Sequence, residues 1–136
     1  MKKKVLILDD NPQNNKMYIE EVKKDYDVDK AMKPISVMRL IHHTQYDYIV
    51  IDVMMPMDKY EAKDETSTGF VFYRDELMPM SLTSPIIFWS RLEKDAYDIF
   101  WKDTPPANTF FLHKNSEESH LRDFINLIDK EQATKQ

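Results

Sequence analysis

The sequence predicts an α/β fold: a five-stranded parallel sheet, doubly wound, with helices on both faces in three layers (α/β/α). The alternation of two sequence patterns predicts it. Short apolar runs alternate with amphipathic helical patterns five times along the 136 residues, and this alternation favours right-handed βαβ crossovers. The length suits one domain, which we assign to residues 1–130, followed by a polar, frayed tail at 131–136.

Each predicted strand is a short apolar run bounded by polar residues, as is typical of strands buried in a parallel sheet. The second of the five has the weakest apolar pattern. The predicted strands are KVLIL (4–8), DVDKAM (27–32), YDYIVID (46–52), SPIIFWS (84–90) and TFFLHK (109–114).

Helices are predicted between the strands from apolar residues at helical spacing. The first spans 11–26, with Asn11 as its cap and Pro12 in its first turn. Others are predicted at 34–43, 68–77 and 92–101. A fifth helix is predicted after the last strand: Asn115 followed three residues later by Glu118 resembles a capping box, and Leu121, Phe124, Ile125 and Ile128 then recur at helical spacing.

Composition excludes several function classes. The chain has no cysteine, which excludes a disulfide scaffold, a cysteine nucleophile and thiolate metal sites. Its net charge of −5 and lack of a long basic run argue against nucleic acid as a partner. The first apolar run is too short for a signal peptide or a membrane span, so we expect a cytoplasmic protein with no membrane partner.

Polar residues stand at the ends of four predicted strands. Asp9 and Asp10 follow the first, and Asp52, Ser90 and Lys114 end the third, fourth and fifth. In doubly wound sheets, ligands bind outside these carboxyl ends. Three neighbouring carboxylates repel one another, and Mg²⁺ would relieve that repulsion because it prefers oxygen ligands. A carboxylate beside Mg²⁺, a lysine and a hydroxyl is typical of a nucleophile that attacks phosphorus.

Each of these residues also has an ordinary structural explanation. Asp9 and Asp10 could end a strand and cap a helix, Ser90 could lie in a turn, and Lys114 could be a surface lysine. Their joint occurrence at the ends of four strands is the specific signal.

With these motifs the sequence resembles, over nearly its whole length, the receiver domain of response regulators in two-component signalling, which has a flavodoxin-like fold. VLILDDN is similar to the family's first strand and acidic pair, and YDYIVIDVMMPM to its phosphoacceptor strand. PIIFWS resembles the strand that ends in Thr or Ser, and FFLHK the strand that ends in lysine.

The resemblance implies that Asp52 is a signalling phosphoacceptor, not a classical enzyme, and takes phosphate from a phosphohistidine of a histidine kinase or phosphotransfer protein. It implies that Asp10, Asp52 and the backbone carbonyl of Met54 ligate Mg²⁺ directly, while Asp9 acts mostly through water. Lys114 would pair with the phosphate.

The resemblance also implies a switch. Ser90 would reach a phosphate oxygen, and Phe111, three residues before Lys114, would turn inward as Ser90 moves. We expect a stand-alone receiver with no output domain, monomeric or dimeric on phosphorylation, whose altered surface binds a downstream protein that the sequence does not identify.

The sequence departs from the family pattern at three places. The loop at 58–69 is long, and is either a modulator of access and partner choice or a tolerated insertion. Asn115 replaces the usual proline after Lys114, so that peptide bond is either trans with a shifted loop or a strained cis bond. Arg91 replaces a small residue, and could cover the site, pair with the acids or the phosphate, or point to solvent.

Two alternative functions remain open on the sequence. In one, the chain is a pseudo-receiver, an interaction module that is not phosphorylated. In the other, it is an aspartyl-phosphate phosphohydrolase, although such enzymes usually carry a second aspartate where this chain has Met54.

Overall fold

The computed structural model describes residues 2–53 and 68–134. The chain alternates strand and helix throughout, and α3 continues through a π-helical turn (Tyr73–Leu77) and a 3₁₀ turn (Met78–Met80). The strands are β1 (Lys4–Leu8), β2 (Asp27–Ala31), β3 (Tyr48–Asp52), β4 (Ile86–Ser90) and β5 (Thr109–His113). The helices are α1 (Lys16–Lys23), α2 (Pro34–His43), α3 (Thr68–Phe72), α4 (Lys94–Phe100) and α5 (His120–Thr134).

The five strands form one parallel sheet in the order β2-β1-β3-β4-β5. The predicted fold class is therefore confirmed, and every predicted strand is present within two residues of its expected bounds. Strand order reverses between β1 and β3, which creates the switch point where doubly wound sheets bind ligands. Asp9 and Asp52 lie at the carboxyl ends of these two strands.

Alternate residues of the central strands fill two separate cores, one on each face of the sheet. Val5, Val50 and Trp89 point to the face covered by α1 and α5. Leu6 and Phe88 point to the other face, where α2, α3 and α4 supply the remaining core residues. Because both faces are buried, the strands read as continuous apolar runs rather than alternating ones.

Two predicted helix starts are wrong. Helix α1 begins at Lys16, after turns in which Asn14 and Asn15 donate backbone hydrogen bonds to Asn11 and Pro12. Asn11 therefore does not cap the helix. The Asn15 side chain does not cap it either, because its amide instead donates to the Asp9 carboxylate at 2.7 Å.

Helix α5 begins at His120 rather than at Asn115. The Asn115 Oδ1 accepts a hydrogen bond from the backbone N–H of Glu117, two residues on, at 2.8 Å. This contact closes an Asx turn instead of a capping box, since a capping box would use the third residue. At its other end the helix continues through Thr134, so residues 131–134 are helical where the sequence predicts a frayed tail.

Gly69 allows α3 to pack directly against the end of β3. A Cβ atom there would lie 2.7 Å from the backbone oxygen of Asp52 and 2.7 Å from the Cα of Val53. The Gly69 N–H donates to the carbonyl of Val53 at 3.0 Å. The chain's single glycine thus stands where only a hydrogen fits, beside the strand end that carries Asp52.

Candidate functional site

Three carboxylates meet at the carboxyl edge of the sheet. Oxygens of Asp9, Asp10 and Asp52 all lie within 4.8 Å of one another. Asp9 and Asp52 are buried, and Asp10 is half-buried. Hard oxygen donors at this spacing fit a small divalent cation such as Mg²⁺, which would offset their mutual repulsion.

Asp9 is held in place by its own neighbours. Its two carboxylate oxygens accept hydrogen bonds from the backbone N–H of Asn11 at 3.0 Å and from the side-chain amide of Asn15 at 2.7 Å. These bonds fix the carboxylate of Asp9 at the end of β1, and they explain why the segment between β1 and α1 turns before the helix starts.

Lys114 brings a positive charge to the same edge. Its Nζ lies 3.6 Å from Oδ1 of Asp52, and both side chains are largely buried. The Lys114 backbone N–H donates to the carbonyl of Ser90 at 2.6 Å, which joins the chain after β5 to the end of β4. The structure therefore brings together Asp9, Asp10, Asp52 and Lys114, as the sequence predicts.

Ser90 and Phe111 also lie at this end of the sheet. Ser90 is fully buried, and its Oγ accepts a hydrogen bond from the backbone N–H of Leu92 at 3.0 Å. Phe111 is half-buried, and its ring lies 5.6 Å from the ring of Tyr97 on α4. Phe111 of β5 thus packs against α4.

Arg91 is exposed, and it makes no ion pair or hydrogen bond with any residue in 2–53 or 68–134. It lines a cavity of about 360 Å³ together with Lys114. The Arg91 side chain therefore does not pair with Asp9, Asp10 or Asp52. Covering the site, pairing with the phosphate and pointing to solvent stay predictions.

Two further predictions concern the surroundings of the site. No peptide bond within the described parts of the chain is cis, so the Lys114–Asn115 bond is trans. Met54 lies outside the described residues, and so does most of the predicted 58–69 loop, whose last two residues already belong to α3.

Sequence reasoning missed a group of three side chains, of which one contacts Lys114 and the other two hold that contact in place. The Lys114 Nζ lies 4.5 Å from the ring centroid of Trp89, over the ring. The Trp89 indole N–H contacts His120, and both rings contact Tyr18. Their spacing along the chain carries no signal, because α1, β4 and α5 bring them together only in the fold.

Solved structures of receiver domains share this fold. The receiver domain of Francisella response regulator 1452 is 23% identical, with a TM-score of 0.71 over 96% of this chain and 98% of its own. A CheY-like receiver domain protein of Methanospirillum hungatei JF-1 is 15% identical, with a TM-score of 0.69 over the full length of both chains.

Response regulator TrrA of Thermotoga maritima, solved in complex with Mg²⁺-BeF, is 17% identical, with a TM-score of 0.67 over 91% of this chain and 96% of its own. No protein-family model and no curated protein matches the chain. The fold is therefore that of CheY-like receiver domains.

None of the helices in the described ranges is long and apolar enough to cross a membrane. The cytoplasmic location stays a prediction.

Proposed function

We propose that this chain is a phosphoryl-accepting receiver of a two-component phosphorelay. The observation that carries the proposal is the convergence of Asp9, Asp10 and Asp52 within 4.8 Å, with the Lys114 ammonium 3.6 Å from Asp52. This arrangement stands at the switch point of a sheet with the receiver fold. Receiver domains act as signalling proteins rather than as classical enzymes.

In this proposal Asp52 is the nucleophile. One of its carboxylate oxygens forms a new P–O bond as the P–N bond of a donor phosphohistidine breaks, and the electron pair of that bond returns to the imidazole nitrogen. The donor is a histidine kinase or a phosphotransfer protein. Lys114 pairs with the negative oxygens of the phosphoryl group, and the Ser90 hydroxyl donates to one of them.

The metal site consists of Asp9, Asp10, Asp52 and the backbone carbonyl of Met54. Bound Mg²⁺ supplies charge neutralisation for the phosphoryl group. Asp10 and Asp52 would ligate the ion directly, and Asp9, which Asn11 and Asn15 hold in place by hydrogen bonds, would act mostly through water.

Phosphorylation is proposed to alter the surface near α4 and β5. When Ser90 turns toward the phosphoryl group, its Oγ leaves the Leu92 N–H, and Phe111 moves inward from its contact with Tyr97. The altered surface binds a downstream protein, either as a monomer or as a phosphorylation-dependent dimer.

The test is incubation with Mg²⁺ and acetyl phosphate, followed by hydroxylamine, which attacks an acyl phosphate at carbon and releases phosphate. We expect a hydroxylamine-labile adduct of one phosphate per chain that is absent in Asp52→Asn. The adduct should be retained in Asp95→Asn, a control that makes the same change at an exposed aspartate of α4. No adduct in the wild type would favour the pseudo-receiver. Multiple turnover of many phosphate esters would favour the phosphohydrolase.

Arg91 is proposed to slow phosphoryl exchange, since it lines the cavity beside Lys114. Arg91→Ala should then raise the rates of adduct formation and adduct loss. Unchanged rates in Arg91→Ala would show that this side chain only faces solvent.

A further inference from the structure

The Lys114 ammonium lies between a carboxylate and an aromatic face. Its Nζ is 3.6 Å from Oδ1 of Asp52 and 4.5 Å from the ring centroid of Trp89. A lysine has four rotatable side-chain bonds, so a single salt bridge restrains it weakly. The ring adds a second restraint, because a desolvated ammonium is attracted to the face of an indole.

Trp89 is itself held in one orientation. Its side chain is fully buried, and its Nε1–H donates to Nε2 of His120 at 3.0 Å. The His120 Nδ1 lies 2.6 Å from the backbone carbonyl of Glu117. Because an indole nitrogen can only donate, His120 carries its proton on Nδ1 and gives it to Glu117. Nε2 can accept from Trp89 only when the imidazole is neutral, and burial favours that form by lowering the pKa of His120.

Tyr18 of α1 completes the arrangement. Its ring packs edge-on against Trp89 and His120, with centroids 5.7 and 5.0 Å away. Its hydroxyl donates to the backbone carbonyl of Asn115 at 2.9 Å. The residue after Lys114 is thereby tied to α1, at the position where receiver domains usually carry a proline.

We propose that Trp89, oriented by His120 and Tyr18, is a positioning residue that holds the Lys114 ammonium over the phosphoacceptor. The three side chains restrain Lys114 and the following backbone where this sequence lacks the proline. The consequence for phosphoryl transfer rests on the proposed function, but the placement of Lys114 does not.

The first measurement therefore needs no phosphodonor. In ¹³C–¹H spectra of the metal-free protein, the ε-methylene protons of Lys114 should be shifted upfield by the ring current of Trp89, with the signal assigned by its loss in Lys114→Ala. We expect the shift to be absent in Trp89→Leu and reduced in His120→Leu. It should persist in His120→Gln, which keeps an acceptor for the indole N–H, and in Phe88→Leu.

Phe88→Leu is a matched control, because it truncates an equally buried aromatic side chain of β4 on the opposite face of the sheet. An unshifted Lys114 signal in the wild type, or an unchanged shift in Trp89→Leu, would overturn the proposal whether or not the protein is phosphorylated. If Trp89→Leu does not fold, the pair His120→Leu and His120→Gln decides in the same way.

The second measurement is the rate of adduct formation with acetyl phosphate and Mg²⁺. We expect about a tenfold decrease in Trp89→Leu and His120→Leu, and rates within about threefold of wild type in Trp89→Phe, His120→Gln and Phe88→Leu. Rescue by the two conservative variants separates positioning from general destabilisation, which Phe88→Leu would share. Equal rates in all variants would overturn the role in transfer, whereas a wild type that forms no adduct would refute only the proposed function.

Discussion

β3 meets a carboxylate at each of its ends. At the amino end, Asp129 of α5 accepts a hydrogen bond from the hydroxyl of Tyr48 at 2.5 Å and pairs with Lys3 at 2.5 Å. Burial disfavours the ionised form of Asp129, but the hydrogen bonds from Lys3 and Tyr48 outweigh it and keep its pKa below the usual 3.8. At the carboxyl end, Asp52 lies within 4.8 Å of Asp9 and Asp10.

The difference shows which carboxylates serve the fold. Asp129 accepts hydrogen bonds from Lys3 and Tyr48. The Tyr48 hydroxyl in turn holds its proton more tightly, because burial first and then the hydrogen bond to Asp129 raise its pKa. Asp52 pairs with Lys114, but it shares its end of β3 with the carboxylates of Asp9 and Asp10, and the repulsion among the three costs stability that a bound cation would offset. The contacts at the amino end therefore stabilise the fold, whereas the carboxyl end carries the carboxylates that the proposed function assigns to binding.

Gly69→Ala should have the largest effect on stability, because the carboxyl end depends on close backbone approach. The added Cβ would meet the Asp52 oxygen and the Val53 Cα at 2.7 Å, and neither backbone atom can move freely. We expect the free energy of unfolding, measured with urea, to fall by about 3 kcal/mol. In an unconstrained helix the same change would stabilise by up to about 1 kcal/mol, so an increase would contradict the packing argument.

Mg²⁺ binding should offset the repulsion among the three carboxylates at the carboxyl end. At 100 times its Kd it should raise the free energy of unfolding by about 2.7 kcal/mol. Asp10→Asn should remove most of this gain, whereas Asp129→Asn should keep it. The measurement is thermal unfolding with and without Mg²⁺, and calcium at equal concentration tests selectivity. Equal gains in both variants would place the metal elsewhere.

Tyr48→Phe should weaken the amino end by about 2 kcal/mol, because it removes a hydrogen bond to an ionised carboxylate. Tyr73→Phe is the matched control, since Tyr73 is also buried but its hydroxyl has no hydrogen-bond partner in the part of the chain that the structure describes. Urea unfolding of both variants checks this. Similar losses of stability in Tyr48→Phe and Tyr73→Phe would mean that the hydrogen bond from Tyr48 to Asp129 is not what stabilises the amino end.

In the metal-free protein, Asp10→Asn should raise the free energy of unfolding, whereas Tyr48→Phe should lower it. Removing one of three neighbouring charges should stabilise the fold by about 1 kcal/mol, the repulsion of two charges at this spacing in a water-like dielectric. Asp129→Asn should destabilise it under the same conditions. A loss of stability in both variants would remove the distinction between the two ends of β3.

The sequence was sufficient to predict the sheet and the carboxylates, because both depend on local patterns. Apolar runs ended by Asp9 and Asp52 specify buried strands and the edge at which their side chains emerge. The helix starts were harder to predict, because the side chains of both capping candidates make other hydrogen bonds that the sequence pattern does not show. The Asn15 amide donates to Asp9 instead of capping α1. The Asn115 side chain accepts from Glu117 in a turn instead of capping α5.

The surroundings of Lys114 were beyond sequence reasoning for a similar reason. Trp89 and His120 are 31 residues apart and meet only because α5 packs on the face of the sheet to which Trp89 points. Gly69 carried a weak signal as the chain's single glycine, but the backbone that it approaches is visible only in the fold.

The smallest expected effect is a loss of stability in acid through His120, beside the carboxyl end. Burial lowers the pKa of His120 from its usual 6.5, and Lys114 and His113 lower it further, while Glu117 opposes them. Between the lowered pKa and 6.5 the unfolded chain binds more protons than the folded one, so stability is retained above pH 6.5 and falls as the pH drops through the folded pKa.

The measurement is the free energy of unfolding of the wild type and of His120→Gln from pH 8 to pH 5. Gln accepts the indole N–H but does not titrate, so the wild type should lose stability relative to the variant only below about pH 6.5. The Trp89 indole N–H resonance should shift over the same range, because an imidazolium cannot accept its hydrogen bond. A constant difference between the two proteins would mean that His120 binds its proton as readily in the folded protein as in the unfolded chain, so that burial beside Trp89 does not hold it neutral.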